Sequence, residues 1–135
     1  MNYEQTLEYL YAQLPMYHRI GPQAYKADLV NTLALCRILG NPQNTFPTIH
    51  ITGTNGKGSV SHMLASILQA SGYRTGLYTS PHLKDFRERI RIDGRMIGKR
   101  EVIGFTQKYR DQFEPLGCSF FELTVGMAFE HFRRQ

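Results

Sequence analysis

The chain has 135 residues, enough for one domain with its own core. Its composition, 41% hydrophobic and 20% charged, is ordinary for a globular protein. No apolar run approaches the roughly 20 residues that span a bilayer, and the start, MNYEQTLEYL, lacks the basic-then-apolar pattern of a secretory signal. The net charge of +5 fits either an anionic partner or a solvated basic face, and much of the excess lies between Lys84 and Arg100. The two cysteines, Cys36 and Cys118, are expected to be reduced thiols of a cytoplasmic protein.

In chain order, residues 2–14 are expected to form a helix. Asn2 caps it, Gln5 completes a capping box, Leu7, Leu10, Tyr11 and Leu14 share a face, and Pro15 ends it. Residues 16–23 form a loop around Gly21-Pro22. A second helix is expected over 25–39, with Leu29, Leu33 and Cys36 on its buried stripe and Gly40 and Pro42 as its stop. The short β-branched run Thr48–Thr52 reads as a buried strand. A glycine loop follows. Val60, Leu64, Ile67 and Leu68 then recur at helical spacing up to Ser71 and Gly72, and Thr75–Thr79 reads as another strand. Strand, loop, helix, strand is a βαβ unit, so the two strands are expected to be parallel.

Beyond a loop from Ser80 to Glu88, Asp93-Gly94 between alternating residues signals a hairpin, with Arg89, Arg91 and Arg95 on its wet face. Residues 99–113 read as an amphipathic helix using Val102, Ile103, Phe105 and Tyr109, broken by Pro115 and Gly117. From Ser119 onward Phe121, Leu123, Val125, Met127, Ala128, Phe129 and Phe132 suggest a helix buried on most sides.

The loop Gly53-Thr54-Asn55-Gly56-Lys57-Gly58-Ser59 carries the chemistry. Backbone N–H groups at a helix start have no partner within the helix, and the helix dipole favours an anion there. Glycines let the backbone approach phosphate oxygens, and Lys57 adds a full positive charge for the β- and γ-phosphates. Ser59 or Thr54 can offer a hydroxyl to phosphate or metal. The loop departs from the usual G-x-x-x-x-G-K-[ST] pattern. Ile51 stands where the first glycine belongs, and Gly58 separates Lys57 from Ser59. The expected ligand is ATP.

The spelling from Ile51 to Ser59 resembles the ATP loop of the Mur ligase superfamily, and its Gly-Ser ending resembles the folylpolyglutamate synthase and dihydrofolate synthase branch. Gly76–Leu83, followed by Phe86 and Glu88-Arg89-Ile90, is similar to that branch's T-S-P-H-L…F-x-E-R-I signature, and Phe120-Phe121-Glu122 to its aromatic-Phe-Glu segment. The resemblance implies an α/β fold of the P-loop-type, three-layer Mur-ligase central domain, N-terminal part only. Residues 1–45 would be a helical lead-in and residues 46–135 the P-loop unit, substrate loop, hairpin and helices, with the C-terminal domain absent.

It implies ATP-dependent ligation of L-glutamate to dihydropteroate or folate through an acyl phosphate, in a monomeric enzyme without nucleic-acid or membrane partners. By that resemblance Lys57 is catalytic and Gly53–Ser59 bind ATP. Ser80 helps hold magnesium. Arg19, Ile20, Gly21, Pro81, His82, Phe86, Arg89, Ser119, Phe120, Phe121 and Glu122 meet the pteroate or folate. Phe120 and Phe121 can equally be core. Ser119 and Glu122 can form a capping box in the same geometry, and His82 reads as a loop residue rather than a metal ligand. The piece by itself is expected to be inactive. Another amino-acid ligase of the superfamily, or an ATP-binding module without chemistry, are the alternatives. A nucleic-acid binder is disfavoured because aromatic and basic residues do not interleave.

Overall fold

In the computed structural model, which describes residues 1–13 and 29–135, α1 runs Tyr3–Tyr11. Its start is as expected: Asn2 Oδ1 accepts from Gln5 N at 2.8 Å, and Gln5 Oε1 accepts from Asn2 N at 2.9 Å. The helix ends three residues sooner than its apolar pattern suggests. Leu14, Pro15 and the segment with Arg19, Ile20 and Gly21 lie outside the described residues.

Helix α2, Val30–Ile38, buries Cys36 as expected but not the rest of the expected stripe. Leu35, Cys36 and Leu39 are buried, whereas Leu29 and Leu33 are 65% and 48% exposed. The burial is set by the last long helix, where the bare Cα of Gly126 faces the Leu35 and Leu39 side chains. A left-handed Asn41 then leads into a 3₁₀ turn, Pro42–Thr45.

Two strand expectations fail. Thr48–Thr52 is not a strand among the described residues, and Ile49 is 65% exposed. No described strand pairs with it, so its β-branched character finds neither ladder nor cover. Helix α3, Lys57–Ala70, follows as expected but buries no residue. Val60, Met63 and Ile67, on one face, are 48%, 59% and 62% exposed. The described sheet is antiparallel throughout. Strands β1 (Gly76–Tyr78), β2 (Ile90–Ile92) and β3 (Arg95–Met96) lie in that order, with Leu77 opposite Arg91 and Ile92 opposite Arg95. The chain between β1 and β2 folds back within a dozen residues, which suits an antiparallel neighbour.

The β2–β3 turn is as expected. Asp93 and Gly94 have φ of 50° and 80°, the double positive φ of a type I′ turn. The Asp93 side chain also accepts from Thr75 N at 2.9 Å. The wet-face expectation fails for Arg89, which is 9% exposed because it ends a 3₁₀ turn, Phe86–Arg89, rather than alternating in a strand. Arg95 is exposed and Arg91 half-buried.

Helix α4, Lys99–Phe113, buries Val102, Phe105, Thr106, Tyr109 and Phe113, with Ile103 half-buried. Helix α5, Phe120–Arg134, is capped by Ser119 and buries Phe120, Leu123, Thr124, Gly126, Met127, Ala128 and Glu130. As expected it is covered on most sides: Val125, Phe129 and Phe132 are half-buried, and only Phe121, at 54%, and Arg134 are exposed. The core lies where α1, α2, α4 and α5 meet the 3₁₀ turn and β2. Cys36 and Cys118 are both buried, and no disulfide joins them.

Two tyrosines of α1 give the fold an alkaline signature. Tyr3 donates to Asp85 Oδ1 at 3.4 Å and Tyr9 to Glu114 Oε1 at 2.7 Å. Burial first, and then the facing carboxylates, raise both phenols from 10.0 to about 12. A proton held more tightly in the folded state stabilises it fully below about pH 10, and the effect is lost as pH rises to about 12. We expect alkaline unfolding in that window, with Tyr3→Phe and Tyr9→Phe each removing one late-ionising phenol in a spectrophotometric titration. Loss of no late phenol in either variant would contradict this.

Candidate functional site

The glycine loop is shaped by its backbone. Gly53 and Gly56 have φ of +152° and +75°, which side-chain-bearing residues rarely adopt. Gly56 is the N-cap of α3, and its carbonyl accepts from Val60 N at 2.9 Å. All residues from Gly53 to Ser59 are exposed, and nothing lies within 4 Å of the space a Cβ would take at Gly56 or Gly58. The loop is therefore an open cradle on a helix N-terminus, with Lys57 as its first helical residue.

A second cluster forms around the loop after β1. Ser80, half-buried, precedes Pro81 through a cis peptide bond. Glu88 folds the following residues by accepting three backbone N–H groups, from Leu83 (2.9 Å), Lys84 (3.1 Å) and Asp85 (2.9 Å). Those amides hold its carboxyl below the usual range. Asp85 accepts from the Arg87 guanidinium at 3.0 Å, which lowers its pKa likewise. Phe86 is 2% exposed.

Arg89 Nε donates to His82 Nδ1 at 2.8 Å, and the guanidinium lies 5.1 Å above the Phe120 ring. His82 Nε2 is 3.4 Å from the Tyr11 hydroxyl. Burial, then the Arg89 charge, pushes the imidazole below its ordinary pKa, so it is neutral at pH 7. Phe86, Phe120 and Tyr11 complete an aromatic set, with centroids 5.2 Å apart for Tyr11–Phe120 and 5.9 Å for Phe86–Phe120.

The segment opening α5 resolves the remaining candidates. Phe120 is core, and its N–H donates to Gln13 O at 3.0 Å, docking the end of α1 on the start of α5. Phe121 is exposed, with Tyr78 edge-on at 6.2 Å. Glu122 closes the capping box, accepting from Ser119 N at 2.9 Å, and takes a long hydrogen bond from Thr32 at 3.4 Å.

The structure thus brings His82, Phe86, Arg89 and Phe120 together, with the Ser119–Glu122 cap next along the chain. It adds Tyr11 and Tyr78, which sequence reasoning did not assign to a site. Tyr11 had been visible only as an apolar helix position, and Tyr78 only as a strand residue. No hydrogen bond, ion pair or ring contact joins this cluster to Gly53–Ser59; the link is the packing of α3 on β1. Among the described residues no group of three His, Cys, Asp or Glu could hold a metal ion. No described helix is long and apolar enough to cross a membrane.

Comparison with known proteins places these features. The chain is similar to folylpolyglutamate synthase of Lacticaseibacillus casei, 35% identical over 142 residues, covering 100% of this chain and 32% of that protein. It is 38% identical over 122 residues to the dihydrofolate synthase/folylpolyglutamate synthase of Mycobacterium tuberculosis, covering 78% of this chain and 24% of that one. Among solved structures, folylpolyglutamate synthase of Thermotoga maritima matches with a TM-score of 0.84 at 39% identity, over 98% of this chain and 30% of that one. An FPGS–AMPPCP–folate complex matches with a TM-score of 0.84 at 36% identity, over 99% of this chain and 33% of that one. No family model matches the chain.

The fold is α/β, with the architecture of the Mur-ligase ATP-binding domain and part of its extent. Within that class, the chain belongs to the folylpolyglutamate synthase and dihydrofolate synthase family, by sequence and by structure alike. It spans between about a quarter and a third of the length of these curated relatives.

Proposed function

We propose that this chain is the triphosphate-holding part of a cytoplasmic ligase that joins L-glutamate to dihydropteroate or folate at the expense of ATP. The observation that carries the reading is the open glycine cradle capping α3 in a chain of this family. Phosphoryl transfer to a carboxylate brings several negative charges together, and their repulsion must be offset. The loop N–H groups and Lys57 would do this for the β- and γ-phosphates.

Magnesium would add charge neutralisation on the phosphates. Its preference for oxygen suits the Ser80 hydroxyl as one ligand among phosphate oxygens and waters. Arg89, His82 and the exposed Phe121 are the described groups best placed by chemistry for the pteroate. Arg89 brings charge, His82 a polar edge and Phe121 a flat apolar wall. Arg19, Ile20 and Gly21 are assigned to the same substrate on the resemblance alone. So are the monomeric state and the absence of nucleic-acid partners.

The test is ligand-observed NMR on the purified chain with Mg-ATP present. Dihydropteroate or folate should bind, and Phe121→Ala should weaken it about tenfold, as expected for one ring of stacking. Preferential binding of a cell-wall precursor would move the chain to another branch of the superfamily. The 135-residue chain alone should release no phosphate with ATP, glutamate and folate. Substrate-dependent release would overturn that part.

A further inference from the structure

We propose that His82 is a positioning residue, the neutral acceptor that fixes the Arg89 guanidinium and ties the loop after Ser80 to α1. The inference rests on reading Ser80–Arg89 as the substrate loop, and it names the group that sets that loop's shape.

Arg89 is 9% exposed, yet among the described residues no carboxylate lies within ion-pair distance of it. A buried cation without a counter-charge needs its N–H groups satisfied in some other way. The structure supplies a ring face, Phe120, the Tyr78 phenol as a hydrogen-bonding neighbour, and for Nε one short hydrogen bond, to His82 Nδ1 at 2.8 Å. A guanidinium has only donors, so Nδ1 must accept and the imidazole proton must sit on Nε2. That proton faces the Tyr11 hydroxyl, 3.4 Å away.

One ring therefore bridges two elements. Through Nδ1 it holds the residue that leads into β2, and through Nε2 it meets the last turn of α1. Tyr3, at the other end of α1, bonds Asp85 in the same loop. Helix α1 thus braces the loop at both ends, while Glu88 holds its middle. Only a neutral imidazole with the proton on Nε2 serves both partners. Arginine cannot accept from an N–H at Nδ1, and a phenylalanine in the same space would leave Nε of Arg89 buried without a partner. The arrangement fixes a cation beside Phe120 and Tyr78 without neutralising it, leaving its charge for an anionic group that enters the loop.

The experiment is a long-range proton–nitrogen correlation on the ¹⁵N-labelled full chain at neutral pH, with no nucleotide or folate present. The expected result is the Nε2–H tautomer at His82 and a slowly exchanging Arg89 Nε–H. The Nδ1–H tautomer would overturn the proposal. In His82→Asn, whose Oδ1 takes the place of Nδ1, exchange of Arg89 Nε–H and of the Thr79 amide bonded to Arg89 O should stay within about twofold. In His82→Phe both should accelerate about tenfold or more, with the Glu122 cap amide unchanged. Equal behaviour of the two variants would also overturn the proposal. Should His82→Phe not fold, the tautomer in the unaltered chain decides by itself. Because no ligand is added, failure here is separate from failure of the ligase reading.

Discussion

Truncation of Phe86 to alanine is expected to destabilise the chain by about 3–5 kcal/mol, the range for a buried aromatic. The ring is 2% exposed and meets Tyr11 edge-on at 6.4 Å, His82 at 6.3 Å and Phe120 at 5.9 Å. Those neighbours come from α1, the loop after β1 and α5, so the cavity would open where three elements join. Each neighbour is also held by a hydrogen bond: Tyr11 with His82, His82 with Arg89, Phe120 N with Gln13 O. They cannot collapse into the space without giving these up, which places the cost high in the range. Urea unfolding followed by circular dichroism measures it. A loss under about 1 kcal/mol would show that the site relaxes freely and that the cluster does not organise the loop.

The second large effect is expected at Gly126. A Cβ there would lie 2.8 Å from Leu35 Cδ2, 3.3 Å from Leu35 Cγ and 3.4 Å from Leu39 Cδ1. Leu35 is itself wholly buried, so its side chain has no solvent to retreat into. Alanine gains up to about 1 kcal/mol of helix propensity, which offsets part of its clash. Valine gains less and adds two methyl groups, so Gly126→Val is expected to cost about 2–3 kcal/mol. Leu35→Ala alone should cost about 2–5 kcal/mol, through a cavity at the same interface. The double variant should cost clearly less than the sum, because each change fills or vacates the space the other alters. Strict additivity would mean that α2 and α5 do not meet as described.

Local chemistry accounts for what the sequence reveals of this fold. The caps at Asn2 and Ser119 and the Asp93-Gly94 turn each depend on residues within three positions of one another, and all three form as expected. Burial that depends on distant partners is not legible in this way. The stripe of α2 turns toward Leu35 and Leu39 because Gly126, some ninety positions on, lets the helices approach. Thr48–Thr52 has the composition of a strand but no described neighbour to pair with, and the apolar face of α3 is uncovered for the same reason. Composition records what a segment could bury, not what covers it.

The candidate site divides in the same manner. The glycine loop is fully legible, since its positive φ angles and the following helix are properties of the segment itself. The Ser80–Arg89 loop is legible as a motif, but the burial of Arg89 is not, because it depends on Phe120 and His82 meeting it from separate elements. Of Phe120 and Phe121, only the first is core; Phe121 is exposed.

The central claim is that the Gly53–Ser59 loop holds a nucleoside triphosphate, and calorimetric titration of Mg-ATP into the purified chain tests it most directly, with Lys57→Ala beside it. Saturable binding that weakens at least about tenfold in the variant is expected, since on this reading Lys57 would give a charge-assisted contact to the phosphates. Equal binding by both chains, or none by a chain shown to be folded, would contradict it.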